Sequence, residues 1–340
     1  MKVKVLITGG AGYIGSHFAR LLLREGFTVS IIDNLSTGNP SVIDVLRKAT
    51  FYYGDIRDEL FLQTTISLAK PDIIMHFAAM AYVGESVSYP HLYFDNNVVG
   101  SIKLLKIAQS NGIRGFVFSS TCAVYGEVGG QIVKETIRPN PISPYGMSKL
   151  VVEQLLQSLT ESSVGFCAVA LRYFNASGAS LDGMLGELHN PETHLIPLVI
   201  RSSLGVGEIV RIYGNDYPTK DGTCERDYLH VEDLATAHFA ALMRIIDGKN
   251  TSKFEVFNLG SGRPHSVLDI IRRVHAYTGV EPQVIISERR KGDPAIIFAD
   301  ASLAKLELGW EPKLSIDTII DTAVQFERHR SSLATTNIKA

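Results

Sequence analysis

The fold of this chain is decided near its beginning, by the stretch Val3-Lys4-Val5-Leu6-Ile7-Thr8-Gly9-Gly10-Ala11-Gly12-Tyr13-Ile14-Gly15-Ser16. A short apolar run, a glycine-rich segment and the amphipathic residues 13–24 predict a buried strand, a tight turn and a helix. Gly9 allows the sharp turn, Gly12 lets backbone N–H groups approach a pyrophosphate, and Gly15 lets the helix pack tightly on its strand. The helix N-terminus directs unpaired N–H groups and a positive dipole end at an anion. The stretch therefore predicts a phosphate-binding turn.

The glycine spacing is G-x-x-G-x-x-G rather than G-x-G-x-x-G, so the glycines alone are a weak signal. Their context strengthens it, because a second strand predicted over residues 28–32 ends on Asp33, about 20 residues beyond the glycines. An acidic side chain at this position accepts a hydrogen bond from the adenosine ribose 2′-OH and repels a 2′-phosphate. Asp33 therefore favours NAD(H) over NADP(H) as the cofactor.

Length and composition narrow the class of protein. A chain of 340 residues exceeds one typical domain and predicts a large α/β domain with a smaller lobe. The formal net charge is −2, which argues against nucleic acid or a charged membrane surface as partner. Cys122, Cys167 and Cys224 show neither a C-x-x-C pair nor zinc spacing, so we expect reduced thiols. No metal-ligand spacing is found anywhere in the sequence, so we expect no metal site. No apolar stretch approaches the roughly 20 residues that span a bilayer, and no signal-peptide pattern is present, so we expect a soluble, cytoplasmic protein.

The first half of the chain alternates predicted strands with segments long enough for crossovers. This alternation predicts an α/β fold with a doubly wound parallel sheet of the Rossmann type, covered on both faces. Ligands of such sheets bind beyond the carboxyl ends of the strands. The predicted strands cover residues 3–7, 28–32, 50–53, 73–77, 115–119 and 167–171.

The second half of the chain differs in composition and in its pattern of predicted elements. Residues 178–195 are rich in Gly, Asn, Pro and Glu and predict a long irregular connection, and beyond them short elements mix with turns. We interpret residues 1–175 as a NAD-binding domain to which later segments return, and residues 176–330 mainly as a substrate-binding lobe. Residues from 328 onward are polar and predict a frayed end, with residues 331–340 as a tail.

A second chemical signal is Pro144-Tyr145-Gly146-Met147-Ser148-Lys149, which opens a helix predicted to run to about residue 159. Because positions four apart lie on one face of a helix, Tyr145 and Lys149 project the same way. A phenol has a pKa of about 10, too high for a base at neutral pH, and a neighbouring ammonium lowers that pKa. With the Thr121 hydroxyl at a strand end, the set predicts a base, a cation that tunes it and a donor that orients a substrate hydroxyl.

Further blocks of sequence follow in a fixed order, at residues 8–17, 33–36, 54–57, 76–79, 83–86, 95–97, 171–175, 214–219 and 226–231. Together they resemble the extended short-chain dehydrogenase/reductase family and, within it, the UDP-glucose 4-epimerases. The resemblance runs in register from residue 3 to about residue 310 and implies an isomerase acting at C4 of a UDP-linked sugar. Tyr145 would take the 4-hydroxyl proton while hydride passes to NAD, and the 4-keto sugar would turn over before the hydride returns.

The resemblance also implies which residues bind cofactor and substrate, and a homodimer formed through helices near residues 98–108 and 150–159. For Asp55, a contact to the adenine amino group and a cap on the next helix are both open. The implied NAD contacts are Gly9, Gly12, Tyr13, Ile14, Gly15, Asp33, Asn34, Ser36, Asp55, Ile56, Phe77, Ala78, Asn96, Tyr145, Lys149 and Tyr173. The implied substrate contacts are Thr121, Tyr145, Asn175, His194, Leu195, Tyr213, Arg226, Arg290, Asp293 and Ile297.

The sequence departs from the family pattern at positions that affect cofactor retention and specificity. Ala81 stands where some members have a lysine at the NAD pyrophosphate, and Thr121 replaces a serine. His194 stands where many members have an asparagine that contacts the sugar nucleotide. Ile297 is intermediate between the large tyrosine associated with plain hexoses and the small residue associated with N-acetylhexosamines. Pocket volume therefore does not decide the substrate.

The same motifs also fit several alternative functions. UDP-xylose/UDP-arabinose and UDP-N-acetylglucosamine 4-epimerases fit the same motifs. A UDP-sugar dehydratase or decarboxylase is disfavoured, because Cys122 and Ala123 stand where those enzymes need acidic groups. A non-catalytic NAD-binding protein is disfavoured because Tyr145 and Lys149 are both present.

Overall fold

The structure is a computed structural model that describes residues 3–290 and 293–337, with the backbone alone for residues 331–337. A π-helical turn, Phe94–Val99, and a 3-10 turn, Cys122–Val124, add to the regular elements. The strands are β1 Lys4–Thr8, β2 Thr28–Asp33, β3 Thr50–Tyr53, β4 Ile73–His76, β5 Gly115–Thr121, β6 Ile132–Val133, β7 Cys167–Tyr173, β8 Asn175–Ser177, β9 Val210–Tyr213, β10 Glu225–His230, β11 Phe254–Leu259, β12 Pro264–Ser266, β13 Val284–Ser287 and β14 Ile296–Ala299. The helices are α1 Tyr13–Arg24, α2 Ser41–Val45, α3 Glu59–Ala69, α4 Val83–Ser88, α5 Pro90–Tyr93, α6 Gly100–Ser110, α7 Pro144–Ser162, α8 Leu195–Ser203, α9 Val231–Ile246, α10 Val267–Thr278, α11 Ser302–Leu308 and α12 Ile316–Asn337.

A parallel seven-stranded sheet in the order β11-β7-β5-β4-β1-β2-β3 forms the larger part of the molecule. Every strand predicted from the sequence is in it, with small shifts at the strand ends, and the doubly wound parallel fold is confirmed. The chain leaves β1 toward β2 on one side and returns to β4 on the other, so the strand order reverses at β1. A crevice for a ligand lies at such a reversal, outside the carboxyl ends of the strands.

Two apolar cores cover the two faces of this sheet. Successive side chains of a strand point to opposite faces, so Val5 and Ile7 join one core while Leu6 joins the other. The first core contains Phe18 of α1 together with residues of α9, and the second contains Leu104 of α6 with residues of α3 and α7. Burial on both faces explains why these strands are apolar throughout rather than alternating.

A smaller lobe is built mainly from the second half of the chain. Its central strand, β10, pairs with β8, β12 and β14, and β14 in turn pairs with β6 from the first half. Strands β9 and β13 form a separate pair, and α8, α10 and α12 enclose a third apolar core. Two later elements return to the large sheet, since β11 forms its edge and α9 packs on α1. The chain segments of this smaller lobe therefore interleave with those of the large sheet.

The C-terminal segment differs from the expectation of a frayed end. Helix α12 runs from Ile316 to Asn337 and includes residues 328–337. Ile319, Ile320 and Val324 are fully buried and anchor the helix, so its more polar last turns continue from a fixed start. Residues 338–340 of the predicted tail lie outside the described residues.

Two further expectations concern the cysteines and the membrane. Cys122, Cys167 and Cys224 are free thiols, as expected. Among the described residues, no helix combines the length and apolarity that crossing a bilayer requires.

Candidate active site

The turn between β1 and α1 has the geometry of a phosphate-binding site. Gly9 adopts a positive φ of 74°, and a Cβ there would lie 2.5 Å from the backbone nitrogen of Ala78. A Cβ on Gly15 would collide with the carbonyl oxygen of Gly9, so this glycine fits α1 against the turn rather than against the strand. Gly12 caps α1 without any side chain, which leaves the first N–H groups of the helix open to a ligand.

Asp33 closes β2 beside this turn. Its carboxylate accepts hydrogen bonds from the backbone N–H groups of Ala11, at 2.9 Å, and Leu35, at 2.8 Å. Burial raises the pKa of Asp33, and these two hydrogen bonds oppose that shift. The side chain is held in one orientation at the cleft, where a ribose hydroxyl can donate to it.

Asp55 is held by its neighbours rather than exposed in the cleft. The Asn34 amide donates to it at 2.8 Å, and the Arg57 guanidinium donates to both of its oxygens. The bonds from Arg57 lower the pKa of Asp55 to about 2. The open alternative of a helix cap does not hold, because Asp58 is the N-cap of α3 and accepts from the Phe61 N–H.

The candidate site is a cleft of about 340 Å³ at the carboxyl edge of the large sheet. It is within the size range of sites for small molecules and cofactors. Most residues predicted to bind NAD or substrate line this cleft: Gly9, Gly12, Tyr13, Ile14, Gly15, Asp33, Asn34, Ser36, Ile56, Phe77, Ala78, Asn96, Thr121, Tyr145, Lys149, Tyr173, Asn175 and His194.

The remaining predicted residues do not line the cleft and instead contact one another or the adjoining lobe. The Arg290 guanidinium lies 3.9 Å from the centroid of the Tyr213 ring, and Arg226 forms an ion pair with Asp293. A backbone hydrogen bond of 3.2 Å from Asp293 to Arg290 links the two pairs. Two arginines, an aromatic face and a carboxylate are therefore brought together on the smaller lobe.

Leu195 and Ile297 also lie outside the cleft lining. Leu195 is the first residue of α8, directly after His194. Ile297 is 7% exposed and belongs to an apolar cluster with Phe174, against which Cys122 packs. Phe174 and Cys122 do line the cleft, so Ile297 lies behind its wall.

Helix α7 presents the predicted catalytic pair. Ser143 caps the helix by accepting from the Gly146 N–H at 3.1 Å, and Pro144 occupies its first turn. Tyr145 and Lys149 consequently face the cleft from one side of the helix, as the spacing predicted. The Lys149 ammonium donates to the Ser119 carbonyl oxygen at 2.8 Å and lies 5.9 Å from the centroid of the Tyr145 ring.

The acid–base properties of this pair differ from the expectation that Lys149 lowers the pKa of Tyr145. Burial raises the pKa of Tyr145, while a hydrogen bond with Thr121 opposes the shift. Burial also favours the neutral form of Lys149, and it lowers the pKa of this amine to about 7. The physical reason is that both groups are desolvated and that the ammonium is bound to Ser119 rather than to the phenol oxygen.

Two ionisable residues that line the cleft were not predicted from the sequence. Glu187 and His189 lie in the irregular connection between β8 and α8 and line the cleft beside His194. His194 Nδ1 lies 2.6 Å from a Glu187 carboxylate oxygen. Burial lowers the pKa of His194, and the carboxylates of Glu187 and Glu192 more than reverse that effect, so its pKa is raised. The only signal in the sequence was the pattern E-x-H-x-x-E-x-H, which has no helical or strand period.

A glycine turn suited to phosphate and a buried tyrosine–lysine pair thus share one cleft, and known proteins with similar sequences were compared with this chain. Residues 5–260 match the NAD dependent epimerase/dehydratase family. The chain belongs to this family. A curated UDP-glucose 4-epimerase of Lacticaseibacillus casei is 46% identical over 320 residues, which are 94% of this chain and 95% of that protein.

Solved structures of this epimerase/dehydratase family share the fold over nearly the whole chain. A UDP-glucose-4-epimerase of Stenotrophomonas maltophila, with bound NAD and formylated UDP-arabinopyranose, has a TM-score of 0.92 and 40% identity, covering 97% of this chain and 99% of its own. A UDP-glucose 4-epimerase of Brucella ovis in complex with NAD has a TM-score of 0.90 and 43% identity, covering 95% and 98%. The family resemblance found in the sequence motifs is confirmed.

The lowered pKa of Lys149 gives a pH-dependent stability prediction. In the unfolded chain this amine has its ordinary pKa of about 10.5, so from about pH 7 to about pH 10.5 the unfolded state binds more protons. The folded protein therefore carries a penalty at low pH that disappears as the pH rises. We expect Lys149→Met to raise the free energy of unfolding of the cofactor-free protein by roughly a few kcal/mol near pH 6 and to give no such gain near pH 10.5.

Urea denaturation of wild type and variant across this pH window measures the effect. Lys48→Met, at an exposed lysine, is the matched control and should show no pH-dependent gain. Equal pH dependence in wild type and Lys149→Met would contradict the assignment of a buried amine with a lowered pKa.

Proposed function

We propose that this protein is an isomerase that epimerises a UDP-sugar at C4 with NAD as cofactor, and that UDP-glucose and UDP-galactose are its substrates. The observation that carries the proposal is that Tyr145, Lys149 and Thr121 share one cleft with the glycine turn and Asp33. Relatives named UDP-glucose 4-epimerase, at 40–46% identity over at least 94% of this chain, support the same reaction.

The residues of the cleft fit NAD by their chemistry. The open N–H groups at the start of α1 suit the pyrophosphate, and the oriented Asp33 carboxylate suits a ribose with a free 2′-hydroxyl. Ala81 lines the cleft without a charge, so binding of the pyrophosphate depends mainly on the helix terminus. When bound, NAD takes a hydride from C4 of the sugar and returns it.

Tyr145 is the proton-transferring group of the proposed reaction. As a phenolate, its oxygen takes the proton of the 4-hydroxyl while the C–H bond at C4 is broken, and gives the proton back when that bond is re-formed. Burial favours the protonated phenol, so Tyr145 first releases its own proton to solvent, and positive charge nearby favours that release. Lys149 supplies one such charge while it is protonated, and the Thr121 hydroxyl bonds to the phenol and orients the pair.

The nucleotide is held by the smaller lobe in this proposal. Guanidinium groups bind diphosphates with two parallel hydrogen bonds, which suits Arg226 and Arg290. Asp293 pairs with Arg226 and keeps its planar group oriented, while the ring of Tyr213 offers a stacking face for uracil. Asn175, on β8 beside β10, lines the cleft. A firm hold on UDP leaves the sugar free to turn over between the two hydride transfers.

A UDP-pentose is the second candidate substrate. The Stenotrophomonas maltophila relative was solved with formylated UDP-arabinopyranose, which supports this candidate. Dehydration is disfavoured because burial raises the pKa of Cys122 to about 12 and Ala123 carries no proton donor. We therefore retain epimerisation at C4 for either sugar class.

We further propose a cytoplasmic homodimer. Large apolar side chains are exposed on α4, α5, the following π-helical turn, α6 and α7, on the same part of the surface where the helices contact one another. Exposed apolar side chains gathered on neighbouring helices are typical of a subunit interface. The residues concerned are Val83, Val87, Leu92, Phe94, Val99, Ile102 and Met147.

Tyr145→Phe tests the proposed base. The substitution removes the phenol oxygen and leaves the ring, so we expect NAD to remain bound while epimerase turnover falls by roughly a hundredfold or more. Turnover is measured by chromatography of UDP-glucose and UDP-galactose, and bound NAD by its release on denaturation. Tyr53→Phe, at an exposed ring, is the control. Turnover within about tenfold of wild type would reject Tyr145 as the base.

Asp33→Asn tests the cofactor preference. Wild type should bind NAD+ at least about tenfold more tightly than NADP+, because the carboxylate repels a 2′-phosphate, and the variant should narrow this ratio. Fluorescence titration with both dinucleotides gives the ratio. Asp44→Asn, outside the cleft, should leave it unchanged. Tighter binding of NADP+ than of NAD+ by wild type would refute the role of Asp33.

A panel of UDP-sugars, incubated with the protein without added cofactor, tests the function and its specificity together. We expect interconversion of UDP-glucose and UDP-galactose by protein that retains NAD. No turnover of any UDP-sugar would favour a non-catalytic NAD-binding protein.

Because Ile297 lies behind the cleft wall, Ile297→Gly should raise turnover of UDP-N-acetylhexosamines relative to UDP-galactose. An unchanged ratio in Ile297→Gly would exclude this residue as a determinant of specificity.

A further inference from the structure

Four metal-ligating side chains converge in the irregular connection between β8 and α8. Glu187, His189, Glu192 and His194 each offer one ligand atom, and these atoms all lie within 4.8 Å of one another. No other group of this kind occurs among residues 3–290 and 293–337. We refer to these four residues as the His–Glu cluster.

The distances within the His–Glu cluster approach those of a tetrahedral site. Glu187 Oε1 lies 3.0 Å from His189 Nδ1 and 2.6 Å from His194 Nδ1. Glu192 Oε1 lies 3.9 Å and 3.3 Å from the same two nitrogens. Bonds of about 2.1 Å to a tetrahedral ion place neighbouring ligand atoms about 3.4 Å apart. Small side-chain shifts bring all four atoms to that spacing.

The carboxylates of the cluster are costly to bury without a cation. The side chains of Glu187 and Glu192 are only 6% and 3% exposed. Glu192 Oε2 is buried without a hydrogen-bond partner, because Nη2 of its ion-pair partner Arg201 lies 3.7 Å away, beyond hydrogen-bond distance, while Nε of Arg201 donates to Glu327. Two desolvated carboxylates beside two imidazoles are stabilised far more by a divalent cation than by one shared proton.

We propose that the His–Glu cluster binds a divalent transition cation of the zinc class. Two imidazole nitrogens and two carboxylate oxygens suit Zn²⁺, whereas Mg²⁺ and Ca²⁺ require more oxygen ligands. The ion joins residues on both sides of Pro191 and thereby fixes the irregular connection at the wall of the cleft. Glu187, His189 and His194 line that wall, so the bound cation adds positive charge beside the cofactor and substrate sites.

This proposal departs from the expectation of no metal site. That expectation was based on finding no metal-ligand spacing anywhere in the sequence, and the E-x-H-x-x-E-x-H pattern of the cluster was not recognised as one. The proposed cation site does not depend on the identity of the UDP-sugar or on the role of Tyr145.

Titration of the protein with Zn²⁺ tests the proposal. Untagged protein with its bound cofactor is treated with a chelator, dialysed and titrated with zinc sulfate by isothermal calorimetry. We expect one Zn²⁺ per chain, and we expect His189→Gln and Glu192→Gln each to weaken binding by at least about tenfold. Neither residue has a role in the proposed catalysis, and an amide at position 192 can still accept from the N–H groups of Thr193 and His194.

His265→Gln is the matched control, because His265 pairs with Asp269 at 2.9 Å but belongs to no group of three or more ligating side chains among the described residues. This variant should bind Zn²⁺ as wild type does. Co²⁺ provides a readout on wild type itself, since a tetrahedral site gives it intense visible absorption, which both cluster variants should lose. Absence of Zn²⁺ binding, equal binding by wild type and both cluster variants, or equal affinity for Mg²⁺ would each overturn the proposal.

Discussion

The close contact between the β1–α1 turn and the end of β4 is the constraint on which the site depends. The N–H groups of Phe77 and Ala78 both donate to the Thr8 carbonyl oxygen, at 2.9 and 3.0 Å. The two strands therefore leave almost no space between their ends, and only a residue without a Cβ fits at position 9. This contact directs the N-terminus of α1 at the crevice where the strand order reverses, and it sets the position of the glycine turn at the cleft.

A buried ion pair fixes the opposite wall, where the proposed catalytic residues lie. Arg172 of β7 donates to Glu153 of α7 at 2.9 and 2.5 Å, and Ser120 of β5 donates to the same carboxylate. A third bond joins Arg172 to Tyr125 at 2.9 Å. Burying these charges is costly, and only a complete set of partners offsets the cost. The pair thereby specifies one register of α7 on the sheet, with Lys149 one helical turn before Glu153.

The parts of the fold and site that were predictable from the sequence are those set by local rules. The strand–turn–helix at Gly9 and the common face of Tyr145 and Lys149 follow from periodicity and spacing alone. The pKa of Lys149 was not predictable, because burial and the bond to Ser119 arise from packing of distant segments. Helix α12 was missed because its polar end is stabilised through buried residues earlier in the same helix. The His–Glu cluster was missed because irregular backbone has no period to analyse.

The division of the site between two lobes matches what the proposed reaction demands. Tyr145 and Lys149 are fixed to the large sheet, whereas Arg226, Tyr213, Arg290 and Asp293 belong to the smaller lobe. A substrate held by its diphosphate at one end meets the proton-transferring group only at the other end. In the proposed reaction the sugar rotates at the end away from the diphosphate, and this rotation breaks none of the contacts proposed to hold the nucleotide. In this proposal the strong, charge-assisted contacts bind the part of the substrate that does not react. The reacting ring makes only contacts weak enough to be exchanged.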